Sequence, residues 1–433
     1  MFKNYFVVGF VLTVSATIAQ DTLTLNEAID IALQNNFDIR IAKNNLTAAK
    51  QNNTLGVAGG LPSVSANVSD NQAYNNIYQK LATGQEIQRN NASVNSLNGG
   101  INATYTLFNG FRVYVTKNRL NELEKQNESV VLNQIQNTVA LVMSNYYNAL
   151  TQQQYSKVTS INEAIADIRL GLVNNRKFVG MASDLDYLQA QLDLSTAIQN
   201  TNSQKLTVNQ VKIDLVTIIN SKSKFSDFNL KDSIEIDTTL KLGMVLDHLE
   251  KNPQILIAES QLKINQQVLK EINKQNIPII RLNAGYNISN VQSDAGLLIT
   301  QRSFGPSVGA SILIPIYNGG IINKQKSSAE INVQNAQLQK ESIFNTLESG
   351  AIKTYQAYSN AINQIKSQNG SIDLSKKLLD LTINKYKLNQ ATVVEMRLAQ
   401  ANYENALYRL YSLQYQAKIA EIELKRLSGQ LVK

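Results

Sequence analysis

The sequence predicts a mainly α-helical protein made of two internal repeats, with a transmembrane β-barrel portion to which each chain contributes four strands. Three observations carry this prediction. Two proline-free stretches of about 65 residues hold helical periodicity. The hydrophobic period switches to two just after Leu61-Pro62 and again after Ile277-Pro278. The same motifs recur in the same order in both halves.

The repeat can be located residue by residue. The stretch from Leu23 to Asn36 is echoed from Leu240 to Asn252; Asn36 pairs with Asn252, and Leu61-Pro62 with Ile277-Pro278, at a spacing of 216 residues. Leu107-Phe-Asn-Gly110 is answered by Ile316-Tyr-Asn-Gly319, and Ala190-Gln191 by Ala399-Gln400, at a spacing of 209. The first copy therefore holds seven extra residues between these junctions, within the Asn-, Gln- and Ser-rich stretch Ser69 to Gly100. Loops tolerate insertions better than packed elements, so a longer surface loop is expected there.

Each element follows in order. Residues 1–19 carry one cation, Lys3, then an apolar run from Phe6 to Leu12 and small residues up to Ala19, which reads as a signal peptide too short to span a bilayer. Repeat 1 covers 20–220, an inter-repeat linker 221–240 and repeat 2 241–433. A short helix opens each copy; in the first, Thr24 and Glu27 have capping-box spacing. Second helices are expected over Asp38 to Gly59 and Gln254 to Asn276, stopped by glycine and proline.

Hairpins come next, at about 62–108 and 278–316. Val64, Ala66 and Val68 alternate with serine and asparagine, as do Ile101, Ala103, Tyr105 and Leu107. In copy two the apolar set is Ile280, Leu282, Ala284, Tyr286 and Ile288, then Val308, Ala310, Ile312 and Ile314. Long helices from Phe111 to Arg176 and Ile321 to Tyr386 follow, then a short break and return helices Asp184 to Ile219 and Val393 to Leu427. Tyr105, Phe108, Phe111, Tyr114, Tyr286 and Tyr317 suit an interfacial aromatic girdle.

Composition narrows the function. The 433 residues hold no Cys, no Trp and one His, which leaves no thiolate, no disulfide, no Cys-ligated metal and no acceptor for a lipid anchor. His248 alone supports neither a His–His metal pair nor acid/base chemistry, and its neighbours Val245, Leu246 and Leu249 place it in a helical pattern. No catalytic residue, metal ligand or cofactor is expected. The net charge of +8 is spread over a chain only 17% charged, without a basic cluster for nucleic acid.

No later segment is apolar enough for a spanning helix, so a membrane role requires a barrel. Four strands cannot close one, because an open edge in lipid leaves backbone groups unpaired at several kcal/mol each. Two chains make a barrel filled by its own side chains; three make twelve strands and leave a lumen.

At this point the chain resembles the TolC-type outer-membrane efflux family. The carrying residues are Leu-Thr-Leu-Asn-Glu-Ala-Ile at 23–29, Leu-Pro at 61–62, Leu-Phe-Asn-Gly at 107–110, Pro-Ile-Tyr-Asn-Gly-Gly at 315–320 and Val-Gly-Met-Ala-Ser at 179–183. The resemblance implies a homotrimeric 12-stranded barrel in outer-membrane lipid, continued into a long periplasmic α-helical barrel. It also implies work with a periplasmic adaptor and, through it, an inner-membrane transporter. The adaptor-docking tip carried over is Val179, Gly180, Met181, Ala182 and Ser183, with Leu388, Asn389, Gln390, Ala391 and Thr392 as its second copy. Asp186 and Glu395 stand where family members place acidic constriction residues, and so form a candidate periplasmic gate.

Turn chemistry alone also accounts for the tips, with Gly180 and Asn389 supplying positive φ and Ser183/Asp186 and Thr392/Glu395 at capping-box spacing. The expected function is passive export of small molecules such as drugs and toxic compounds. Type I protein secretion is the alternative cargo, and a periplasmic coiled-coil scaffold or adhesin the alternative class.

Overall fold

A computed structural model describes residues 22–221, 228–230, 233–296 and 298–431; the signal-peptide reading of 1–19 falls outside them. The elements run β1 (Thr22–Leu23), α1 (Leu25–Asn35), α2 (Phe37–Asn52), β2 (Ser63–Lys80), β3 (Glu86–Phe108), α3 (Arg112–Phe178), α4 (Asp184–Ile219) and β4 (Asn229–Leu230). They continue with α5 (Leu242–Leu246), a 3₁₀ turn at Leu249–Lys251, α6 (Pro253–Asn273), β5 (Ile279–Ser293), β6 (Thr300–Leu313), α7 (Ile321–Lys387) and α8 (Val393–Leu427). The two long helices are each 67 residues. No helix among the described residues is long and apolar enough to cross a membrane.

The chain forms two compact units, and each draws on both sequence repeats. One holds the residues up to Ile39, Ile135–Asp247 and those from Gly350; the other holds Arg40–Gln134 and His248–Ser349.

The first unit is helical. Ala28 and Ala32 of α1 are fully buried with Val142, Tyr146 and Ala149 of α3 and Leu215 of α4. Helix α1 starts in a complete capping box between Thr24 and Glu27. Tyr146 donates its hydroxyl to the Leu23 carbonyl at 2.9 Å. Asn36 donates to the Ile218 carbonyl at 3.1 Å and Asn220 to the Asn35 carbonyl at 3.0 Å, so the ends of α1 and α4 tie each other. Strand β1 pairs in parallel with β4, a contact that two residues of sequence do not announce.

The second unit is built on one antiparallel sheet of order β2-β3-β5-β6, open at β2 and β6. Directly paired residues share a face. Val64, Ala103, Ala284 and Val308 form one apolar rung, flanked by Ala66, Ile101, Tyr286 and Pro306 and by Val68, Gly99, Ile288 and Phe304. From Ile312 to Phe304 this band spans about 20 Å after roughly 40° of strand tilt. One rung further the face turns polar, where Asn95 donates to Asp70 at 2.8 Å and Arg302 to Asn290 at 3.1 Å.

The opposite face is a polar lattice, uncharged from the Ser63 rung to the Ser69 rung. Asn102 donates to Asn67 at 2.8 Å, Ser289 to Asn98 at 2.7 Å and Thr104 to Asn283 at 3.3 Å. A Cβ on Gly100 would lie 2.3 Å from Asn287 Oδ1, and one on Gly285 would lie 2.5 Å from Asn102 Oδ1. Asn287 and Asn102 thus each lie across a glycine of the neighbouring strand, where any larger residue would collide with the amide.

Four expectations need correction. The seven extra residues of copy one do not enlarge a loop, because β2 and β3 are 18 and 23 residues against 15 and 14 for β5 and β6. Cross-strand bonding continues outward past a β-bulge at Asn75/Ile77, where Asn91 takes φ 57° and donates its N–H to Asn76. The first second helix stops at Asn52, not Gly59. Asn53 there turns aside to donate to Glu124 and accept from Lys117, and the glycine-rich run to Gly60 has low helix propensity. Tyr286 sits mid-band opposite Ile101 and Pro306, not at a rim, whereas at the helix-proximal end Phe108 meets Phe111 edge-on and Phe111 lies tilted against Tyr114. His248 lies in the turn before Leu249–Lys251 and not within a helix.

Candidate functional site

The two helical-hairpin tips are the same local structure written with different residues. Helix α3 ends with Gly180 at φ 75°, whose N–H donates to the Lys177 carbonyl at 3.0 Å while Met181 N–H reaches the Arg176 carbonyl at 2.7 Å. Helix α7 ends with Asn389 at φ 65°, with N–H bonds from Asn389 to Tyr386 at 3.0 Å and from Gln390 to Lys385 at 2.8 Å. Both are Schellman closures, and glycine and asparagine are the residues that tolerate the left-handed position.

The return helices then start in complete capping boxes. The Asp186 carboxylate accepts from Ser183 N–H at 3.1 Å and Ser183 Oγ at 2.8 Å. The Glu395 carboxylate accepts from Thr392 N–H at 2.6 Å and Thr392 Oγ1 at 2.9 Å. The tips share one small core of Val173, Ala190, Tyr386 and Met396, onto which Ala182 and Ala391 pack. Arg176 stacks 4.4 Å above the Tyr386 ring and joins the hairpins.

Of the ten predicted tip residues, Val179, Met181 and Leu388 are the exposed large apolar ones, beside Phe178 at 93% exposure. Ala182 and Ala391 face inward, and Ser183 and Thr392 are occupied as caps. Asp186 and Glu395 each bond within their own turn, and no hydrogen bond or ion pair between them is seen among the described residues. Asp184, one residue after the cap, pairs with Lys177 at 2.7 Å, and that cation holds its carboxyl below the usual range.

The Thr392 backbone N–H and then its hydroxyl hold the Glu395 carboxyl below its ordinary value. A depressed folded-state pKa means that the cap contributes fully above the unfolded value of about 4.3 and is lost as pH falls through the lowered one. Thermal melting of wild type and Glu395→Gln is therefore expected to diverge at neutral pH and converge at acid pH. A constant difference across that range would show that the charge adds nothing to the cap.

Sequence reasoning missed a buried charged cluster behind the tips. Arg169 of α3, whose side chain is 4% exposed, pairs with Asp193 of α4 at 2.9 Å and donates to Gln400 of α8 at 2.7 Å. Gln189 also donates to Asp193, at 2.9 Å, and Gln400 donates to the Asn162 carbonyl at 3.3 Å. The group lines a cavity of about 250 Å³ with Arg397 and Glu404, and burial raises the Glu404 carboxyl pKa. The available signal was the repeated Ala190-Gln191 and Ala399-Gln400, but only the second glutamine is buried. No group of His, Cys, Asp and Glu able to hold a metal occurs among the described residues.

The family model described as outer membrane efflux protein matches residues 28–221 and 245–430. The outer membrane protein TolC of Escherichia coli is 21% identical over 296 residues, covering 66% of this chain and 60% of its own length. The outer membrane efflux protein BepC of Brucella suis is 22% identical over 436 residues, covering 98% of this chain and 88% of its own. The fold matches that of the Campylobacter jejuni CmeC outer membrane channel with a TM-score of 0.74 at 17% identity, over 94% of this chain and 86% of that one.

Proposed function

The chain belongs to the outer membrane efflux protein family, and from that membership we propose that it is the exit duct of a tripartite efflux system, carrying small toxic molecules passively outward. It receives them from an inner-membrane transporter through a periplasmic adaptor. The observation that carries the reading is the four-stranded sheet, apolar on one face, polar on the other, and open at both edges.

In lipid neither edge can stay unpaired. Joining β6 of one chain to β2 of the next satisfies both, and three chains close twelve strands around a lumen walled by asparagine, serine and glycine. Between the Ser63 and Ser69 rungs such a wall hydrogen-bonds water and offers passing solutes no apolar or charged foothold. Secretion of a polypeptide through the same duct remains the competing cargo; the flat lattice favours neither.

The tips supply a second surface. Phe178, Val179, Met181 and Leu388 are apolar side chains held outward on rigid closures, as a docking surface for an adaptor helix requires. Asp186 and Glu395 recur threefold in a trimer and make a carboxylate ring that favours cations at the tunnel end.

Reconstitution in a planar bilayer tests the whole reading: the protein is expected to conduct ions as a detergent-stable trimer. Asp186→Asn with Glu395→Gln keeps the capping oxygens and removes both charges. That pair is expected to reduce cation preference and raise conductance several-fold. A water-soluble monomer without conductance rejects the duct, and unchanged selectivity in the double variant rejects the gate.

A further inference from the structure

We propose that Arg281 turns the barrel lumen into an anion-favouring segment, as a ring of three guanidinium groups at its helix-proximal end, and so passes anionic solutes such as carboxylates and phosphates. The inference rests on the threefold duct reading above.

The polar face of the sheet is built in rungs. Its rungs, read across β2, β3, β5 and β6, are Ser63-Thr104-Asn283-Gly309, Ser65-Asn102-Gly285-Ser307, Asn67-Gly100-Asn287-Gly305 and Ser69-Asn98-Ser289-Ser303. Outward lie Asn71, Ser96, Val291 and Gln301; inward lie Thr106, Arg281 and Ser311. Up to the bulge at Asn75/Ile77, Arg281 is the one charged side chain on this face among the described residues. The other charges of the same strand region, Asp70 and Arg302, lie on the opposite face and have polar partners there.

Arg281 itself is exposed and has neither an ion pair nor a hydrogen bond among the described residues. Its strand neighbours Thr106 and Ser311 are neutral, so nothing on the face cancels its charge. A structural arginine would be paired; this one is held towards the lumen with its charge unspent.

Geometry sets the reach. Twelve strands about 4.8 Å apart and tilted roughly 40° close a cylinder of about 12 Å radius. An extended arginine covers more than half of that radius, so three guanidinium groups face one another across a narrow water column. The Debye length is about 10 Å at 0.1 M salt and about 3 Å at 1 M. At low salt the three fields therefore overlap on the axis, and at high salt they do not. The flat Asn-over-Gly lattice matters here, because it leaves the arginines as the groups that project furthest inward.

The test is reversal potential in neutral phosphatidylcholine bilayers under a low-salt KCl gradient, measured in the wild type and in the D186N/E395Q background. In that background acidic tip groups no longer mask an anion preference. Arg281→Gln is expected to lower chloride permeability relative to potassium several-fold, Arg281→Glu to lower it further, and Arg281→Lys to keep the wild-type value. The differences should collapse near 1 M salt. Hexacyanoferrate, a trivalent anion added on the barrel side, should block the wild type and the Lys variant and spare the Gln variant. Reversal potentials and block that are the same in the Gln and Glu variants as in the wild type overturn the assignment. Absence of conductance in every variant, wild type included, overturns instead the duct reading beneath it.

Discussion

Val308→Arg is expected to abolish membrane assembly of the protein, while Ser307→Arg, one residue away, leaves it assembled and conducting. Val308 is 88% exposed on the apolar face, opposite Ala284, and lies midway between Phe304 and Ile312. An arginine on the lipid face near the bilayer midplane costs about 2–4 kcal/mol, and a trimer meets that cost three times. Ser307 pairs with Gly285 on the polar face, where an added cation stays in water. Because the side-chain period in a strand is two, the contrast between neighbours reads out which face meets lipid. Heat-modifiable, detergent-stable trimer in membrane fractions is the measurement. Equal behaviour of the two variants would sink the orientation of the barrel.

Arg169→Ala should lower the stability of the helical unit by about 3–5 kcal/mol, because it strands Asp193 as a buried charge and leaves the Gln400 carbonyl without its donor. Arg397 cannot replace it: it approaches Asp193 at 3.8 Å from a largely exposed position. Burial pulls the Arg169 pKa down against the upward pull of Asp193. Replacing both partners together, Arg169→Met with Asp193→Leu, should recover most of the loss, since two apolar groups owe no desolvation. Denaturant unfolding followed by helical circular dichroism decides it. A single variant within about 0.5 kcal/mol of wild type would mean that the cluster does not clamp α3, α4 and α8.

Much of the fold was legible because it is local. Capping boxes at Thr24, Ser183 and Thr392, left-handed closures at Gly180 and Asn389, and alternation through Ile280 to Ile288 each depend on residues a few positions apart, and all three kinds of signal formed as read. The family assignment followed from the order of such signals, repeated twice. The misreadings were also local in origin. The insertion within Ser69 to Gly100 looked like loop composition, yet asparagine and serine there extend a ribbon held by cross-strand bonds such as Gln72 to Ser93. The helix expected to reach Gly59 ends where Asn53 meets Glu124 and Lys117, more than sixty residues downstream in sequence.

By itself, then, the sequence determined the period of most segments and the duplication. Tertiary structure alone decided that β3 neighbours β5, that Asn287 and Asn102 lie across Gly100 and Gly285, that Arg169 is buried against Asp193 and Gln400, and that Arg281 is the only charge on the polar face up to the bulge among the described residues. The physical reason is distance along the chain. Caps, turns and periodicity are settled by backbone geometry within a few residues, whereas strand order, a shared buried charge and an empty neighbourhood depend on which distant surfaces meet.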